Sequence, residues 1–310
     1  MNQMSKFQRS WLLFKSSLLV IARSKQLLVF PIVIFALTIV IALFFIAPVV
    51  LQPTGHGYAQ AEHWKAVGQR IFSESTVAET GATETSLSKG AMIYAAFLYF
   101  VSMFCATFFN VALYHEILAA LGGQSVSISR GLKFASTRLK GILVWALFAG
   151  LVGLIIKLLE QKLDFVGRII ARFVGLAWSV ASIFVIPILV REEATVNPVN
   201  LLRTSAGILK RTWGEALIGY VGLAFGNLLV LFASIFILGG ATFASVAMNN
   251  YWIIAVTGVF WLLAIFALSY VMSVASQIYK GALYLYAADG TIPEPYNKEM
   301  LDMAWRVKKS

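Results

Sequence analysis

The sequence predicts an all-α polytopic membrane protein, with six transmembrane helices arranged as three hairpins, each preceded by a basic amphipathic interfacial helix. Three observations carry this reading. The 310 residues are 59% hydrophobic and only 13% charged, more apolar surface than a soluble domain of this length can bury. Six long apolar runs show no period-2 alternation, which favours helices over a barrel in a solvent where every backbone N–H and C=O must be paired within the protein. A basic amphipathic segment also recurs three times. Phe14–Arg23 aligns without gaps on Leu202–Arg211, and Leu132–Lys140 on Leu202–Lys210.

In chain order the spans are Leu27–Leu51, Ala91–Leu121, Gly141–Leu158, Phe165–Val190, Ala216–Gly239 and Tyr251–Tyr284. Each is long enough to cross roughly 30 Å of hydrocarbon at ~1.5 Å per residue, the third only just. The chain reads as one integral membrane domain, 1–310, with repeat units of about 5–121, 127–190 and 197–287, a connector at 52–89 and a tail at 288–310. The first amphipathic segment places Phe7, Trp11, Phe14, Leu18 and Ile21 on one helical face, with Arg9, Ser16 and Arg23 opposite. The second does the same with Ile128, Leu132, Ala135 and Leu139, and the third with Val199, Leu202, Ala206, Leu209 and Trp213. Their starts carry capping chemistry: Ser5 with Gln8 fits a capping box, and Asn197 precedes a proline that has no N–H to satisfy.

Charge gives orientation. The formal net charge of +11 would suggest nucleic acid in a soluble protein, but here the basic residues border apolar spans and meet anionic headgroups, so lipid rather than nucleic acid is the expected partner. Eighteen of the twenty-five lysines and arginines fall on the side holding both termini, which should be cytoplasmic. Lys157, Lys162, Arg168 and Arg172 run against this rule at the hairpin between the third and fourth spans.

The connector is expected to be a solvated or membrane-grazing loop on the outer side, within which Ala59–Phe72 has the pattern of one helix carrying His63, Trp64 and Phe72. It is too short for a separate domain. The single cysteine, Cys105, lies in a span, so no intrachain disulfide or multi-cysteine metal site is expected. A cleaved signal peptide is not expected either, because the first apolar run exceeds the ~7–15 residues of an h-region.

The polar residues inside the spans are the candidates for function, since a charge at mid-bilayer costs at least ~2.5–3.5 kcal/mol. They are Asn110, His115, Glu116, Arg168, Arg172 and Asn227, with Gln277 in the sixth span. His115 and Glu116 sit near the cytoplasmic end of their helix, where they either reach headgroups, pair with the basic amphipathic helices, or form a proton-sensitive pair lining a vestibule. Arg168 lies four residues after Asp164, which suggests an i,i+4 ion pair with Glu160 nearby; the other reading is a positive mouth that attracts anions. Gly167, Ala171, Gly175 and Ser179 form a small-residue stripe, and Gly222 with Gly226 repeats the spacing, a signature of close helix packing. Asn110 and Asn227 are placed to bridge helices or line a polar path.

Enzyme motifs are lacking. His115-Glu116 has no second histidine three residues on, there is no Gly-x-Ser-x-Gly elbow or phosphate-binding glycine loop, and no cofactor is implied.

The runs Phe108–Leu113, Ala177–Ala181, Lys210–Leu217 and Gly281–Tyr284 resemble an uncharacterised bacterial integral-membrane family, domain of unknown function 6159, across nearly the whole chain. The most specific piece is Lys210-Arg211-Thr212-Trp213-Gly214-Glu215-Ala216, a Trp-Gly turn between a basic interfacial helix and a span. The resemblance implies a six-helix bacterial inner-membrane protein and supplies no activity. The functional expectation is a non-enzymatic scaffold or accessory subunit working through lipids, a membrane-protein partner or its own oligomer. The alternative is a transporter or channel for a small solute or anion.

Overall fold

The structure, a computed structural model, describes residues 6–76, 83–192, 197–212, 216–298 and 301; the side chains of 6–11, 74–85 and 211–231 lie outside that description. The first amphipathic segment is α1 (Lys6–Arg23), which passes through a 3-10 turn (Lys25–Leu28) into α2 (Val29–Val50). The connector folds as α3 (Ala61–Ile71) and an antiparallel hairpin of β1 (Phe72–Thr76) and β2 (Thr83–Leu87). Then follow α4 (Lys89–Leu121), α5 (Ile128–Thr137), α6 (Leu139–Lys162), α7 (Phe165–Ala181), α8 (Val185–Arg191), α9 (Pro198–Thr212), α10 (Ala216–Ala247) and α11 (Trp252–Asp289). Apart from the small hairpin the fold is helical.

Five stretches are long and apolar enough to cross a bilayer: Lys25–Val50, Lys89–Leu121, Leu139–Lys162, Phe165–Arg191 and Trp252–Asp289. Together with the large exposed side chains along them, such as Phe44, Ile93, Phe173 and Phe260, they mark a membrane protein whose outer surface is solvated by lipid. In α10 the apolar part covered by described side chains is Phe232–Ala247.

The core lies where α4, α8 and α11 meet. Val111, Leu113 and Ile117 from α4, Val185 and Ile188 from α8, and Val274, Ile278 and Ala282 from α11 are buried together. Phe184 tilts against Tyr284 with ring centroids 5.9 Å apart, and Arg191 both pairs with Asp289 and lies over the Tyr284 ring. The fourth span is two helices rather than one. Pro187 supplies no N–H to the carbonyl one turn earlier, and the chain turns at 182–184 before α8 resumes.

Outer helices are fastened by aromatic donors. Tyr94 Oη donates to the Phe45 carbonyl, joining α4 to α2, and Tyr99 Oη donates to the Gly150 carbonyl of α6 at 3.1 Å. Trp261 Nε1 donates to Ser234 Oγ at 3.0 Å, joining α11 to α10. Trp145 of α6 stacks on Trp178 of α7 at 5.9 Å. Tyr and Trp suit this task because they bring a large apolar body into the bundle and a single polar tip that one backbone carbonyl satisfies.

In α1, α5 and α9 the inward face matches the sequence expectation in part, since Ile21, Ala135 and Leu209 are buried as expected. The most buried positions are Leu13, Ser16, Ser17, Val20 and Ile21 in α1, Gly131 and Ala135 in α5, and Leu201, Ser205 and Leu209 in α9. Phe14, Leu18, Leu132 and Leu202, expected on the apolar face, are only partly buried, and Ser16, expected on the polar face, is buried. The small residues on the inward face let each helix backbone approach the helix it docks on.

The tail is docked as well. Gly290 closes α11 in the left-handed conformation at φ 68°. The chain then returns along α1, burying Tyr296 and Leu301, with Ser17 Oγ and Tyr296 Oη 2.7 Å apart.

Candidate functional site

Glu116, on the last full turns of α4, is entirely buried and collects four hydrogen bonds. Arg130 of α5 donates from Nε to Oε1 at 2.9 Å and from Nη2 to Oε2 at 2.6 Å; the Ser127 N–H donates to Oε2 at 2.7 Å; and His115 Nδ1 lies 3.0 Å from Oε1. Since a carboxylate accepts only, Nδ1 carries the proton of that last bond. The His115 ring stacks on Phe134 of α5 at 4.1 Å. Arg130 also donates to the Ser125 carbonyl at 2.6 Å, which holds the loop between α4 and α5. The hydrogen bond to Glu116 keeps the Arg130 guanidinium above its ordinary pKa.

Local sequence explains why α5 arrives here. Ser127 caps its own helix by accepting the Arg130 N–H at 3.4 Å, which fixes the first turn next to Glu116. Gly131 then lets the backbones close: a Cβ there would lie 2.8 Å from the Ala112 carbonyl oxygen, 3.0 Å from Glu116 Cγ and 3.1 Å from Phe30 Cζ. The pair is a bidentate, charge-assisted clamp between span and interfacial helix. With its acceptor sites taken by protein donors, the carboxylate offers none to a passing solute.

The remaining candidates are dispersed. Asn110 is half-buried on α4. Arg168 and Arg172 are exposed on α7. Asp164 does not pair with Arg168 among the described residues; its Oδ1 caps α7 by accepting the Gly167 N–H at 3.0 Å. Of the small-residue stripe, Ala171 is buried and a Cβ at Gly175 would touch Ile156 of α6 at 3.4 Å, so this part faces a helix. Gly167 instead sits in the cap turn, where a Cβ would come within 2.6 Å of Leu163 Cβ. Ser179 Oγ donates to the Gly175 carbonyl at 2.9 Å, within its own helix. Gly222, Gly226 and Asn227 fall in α10 where side chains lie outside the description, and Trp213, Gly214 and Glu215 lie outside the described residues.

Two docking contacts were not legible from composition. Ser205 of α9, fully buried, accepts the Phe184 N–H at 3.1 Å and satisfies the break in the fourth span. Ser17 of α1 meets Tyr296. The threefold sequence alignment held the signal, because Ser17, Ala135 and Ser205 occupy matching positions and all three have no exposed surface. Asn197 caps α9 as its sequence suggests, accepting the Val199 N–H at 2.9 Å. Ser5 lies outside the described residues.

In the connector, buried His63 is held at both ring nitrogens, with Thr54 Oγ1 2.6 Å from Nδ1 and the Val50 carbonyl 3.1 Å from Nε2. The carbonyl accepts only, so Nε2 carries the proton of that bond. That anchors α3 to the end of α2. Among the described residues no group of three or more His, Cys, Asp or Glu is placed to hold a metal ion.

A protein-family model described as a family of unknown function (DUF6159) matches residues 90–293. No curated protein and no solved structure matches the chain.

Proposed function

The chain belongs to this family of unknown function, and from that premise we propose a non-enzymatic membrane scaffold or accessory subunit that works through membrane partners or lipids from a basic cytoplasmic face. In this reading α10 is the remaining span, since its 32 residues exceed the ~20 needed to cross a bilayer. The six spans form three hairpins in a bacterial inner membrane, with both termini on the lysine- and arginine-rich side. The packing supports a cyclic order of three units: α5 docks on α4, α9 on α8, and α1 on α11, so each interfacial helix sits on the closing span of the preceding unit.

One observation carries the scaffold reading. The buried polar groups on the basic side fasten interfacial helices and tail, through Glu116 with Arg130, Ser205 with Phe184 and Ser17 with Tyr296, while apolar side chains dominate the α4, α8 and α11 core around Gln277 and Tyr279. A transport route through Asn110, Glu116, Arg172 and Asn227 is disfavoured by Glu116 being fully engaged and Arg172 lying exposed on α7.

Affinity purification at native expression in a mild detergent, with mass spectrometry of proteins and lipids, tests the proposal. A stoichiometric protein partner or co-purifying anionic lipid is expected. A lone protein that conducts solute in liposomes, with flux lost in Arg172→Leu, would make it a transporter instead.

A further inference from the structure

At the junction of α1, the 3-10 turn, the α4–α5 loop and the tail lies a cavity of about 720 Å³. It adjoins the 3-10 turn that leads into α2 and the end of α4, the two ends of the first hairpin. Arg23 and Lys25 line it, with Ser24, Gln124 and Ser125 contributing hydroxyl and amide groups, and Val20, Leu121 and Val126 giving an apolar floor. At the ends of α1 and α4 the carbonyls of Val20, Ile21, Leu118, Ala119 and Ala120 accept the N–H groups of Ser24, Gly122, Gly123 and Gln124. The charged side chains of the lining are Arg23, Lys25 and Glu294.

Arg23 has a carboxylate against it. Glu294 of the tail reaches into the lining and stands 3.7 Å from the guanidinium, both side chains being well exposed. Such a pair is weak and exchangeable. Lys25 has no ion-pair partner among the described residues. The volume lies within the range of pockets that enclose small ligands. The opposite wall is rigid, because Arg130 holds the Ser125 carbonyl and Glu116 the Ser127 N–H.

We propose that this cavity binds a phosphate group at headgroup depth, either that of an anionic glycerophospholipid or of a soluble phosphate monoester. Arg23 and Lys25 take the phosphate oxygens, the apolar floor takes the first methylenes of a lipid, and Glu294 is the internal carboxylate that the phosphate displaces. The inference rests on the lipid-facing reading above but adds a single saturable site to it.

The test is titration of the full-length protein in a zwitterionic detergent with dioctanoyl phosphatidylglycerol, with dioctanoyl phosphatidylcholine as control and glycerol 3-phosphate as soluble competitor, read by native mass spectrometry and calorimetry. One saturable site is expected, weakened about tenfold or more in Arg23→Gln/Lys25→Gln and strengthened about two- to fivefold in Glu294→Gln, where the competing charge is gone. All these residues are exposed, and Glu294→Gln reads out a gain that misfolding cannot imitate. Competition by glycerol 3-phosphate identifies a soluble ligand, and its failure identifies the lipid. No saturable binding, or binding indifferent to all three substitutions, overturns the site. If the protein and the double variant still bind phosphatidylglycerol vesicles equally and salt-sensitively, the site falls while the broader lipid-scaffold reading stands.

Discussion

Glu116 and Arg130 form a two-pronged ion pair in which the carboxylate has no exposed surface and the guanidinium keeps 40% of its own. The asymmetry decides how it works. Glu116 is the desolvated partner that needs its donors, and Arg130 is the tether that holds α5 on α4.

Removing either partner should therefore destabilise unequally. Arg130→Ala leaves a buried carboxylate short of its two strongest donors and is expected to cost about 2–4 kcal/mol, the usual penalty for breaking a buried pair reduced for the exposed guanidinium. Glu116→Gln, which keeps the shape and loses the charge, should cost less. Because the residues act as one unit, the double variant should be less destabilised than the sum of the singles. Unfolding of the purified protein in detergent measures all three.

Gly131→Ala places a methyl against the Ala112 carbonyl and Phe30. It should push α5 off α4 and cost about 1–3 kcal/mol as overpacking. Gly207→Ala on α9 meets nothing within 4 Å and should be neutral or stabilise by up to about 1 kcal/mol through helix propensity. Equal effects at the two positions in melting experiments would contradict the packing argument.

Ser205→Ala removes the acceptor of a buried N–H at the break in the fourth span. Loss of this hydrogen bond should cost about 1 kcal/mol. Hydrogen exchange should accelerate at Phe184 first, before the rest of α8.

Burial raises the Tyr296 hydroxyl above its ordinary pKa, and the hydrogen bond with Ser17 offsets this only in part. A free tail would titrate near the ordinary value of about 10. The docked form thus holds its proton more tightly, so docking is fully present below about pH 10 and weakens as the pH rises beyond it. Melting temperature followed against pH should show this alkaline decline in the native protein. In Tyr296→Phe the decline should shrink, alongside a pH-independent loss of about 1 kcal/mol for the missing hydrogen bond.

Much of this protein is local and could be read from the chain. The lipid solvent, the helical spans and the amphipathic helices follow from composition and period, and the helix starts at Ser127 and Asn197 follow from side chains acting on amides two or three residues away. Glu116 and His115 could be singled out because an ionisable pair in an apolar run demands an explanation.

Tertiary structure alone decided what answers that demand. Nothing in the sequence distinguishes Arg130 from the other basic residues of the amphipathic segments, and Asp164, four residues from Arg168, caps its helix instead of pairing. It also decided which face of each interfacial helix turns inward. In water the hydrophobic face is the buried one, so pattern predicts packing. In a membrane, lipid is as apolar as the protein interior, so hydrophobicity alone does not select the inward face. That face carries Ser17, Ala135 and Ser205 among the buried Leu13, Val20, Leu201 and Leu209, and the small side chains allow backbones to approach once helices distant in the chain have met.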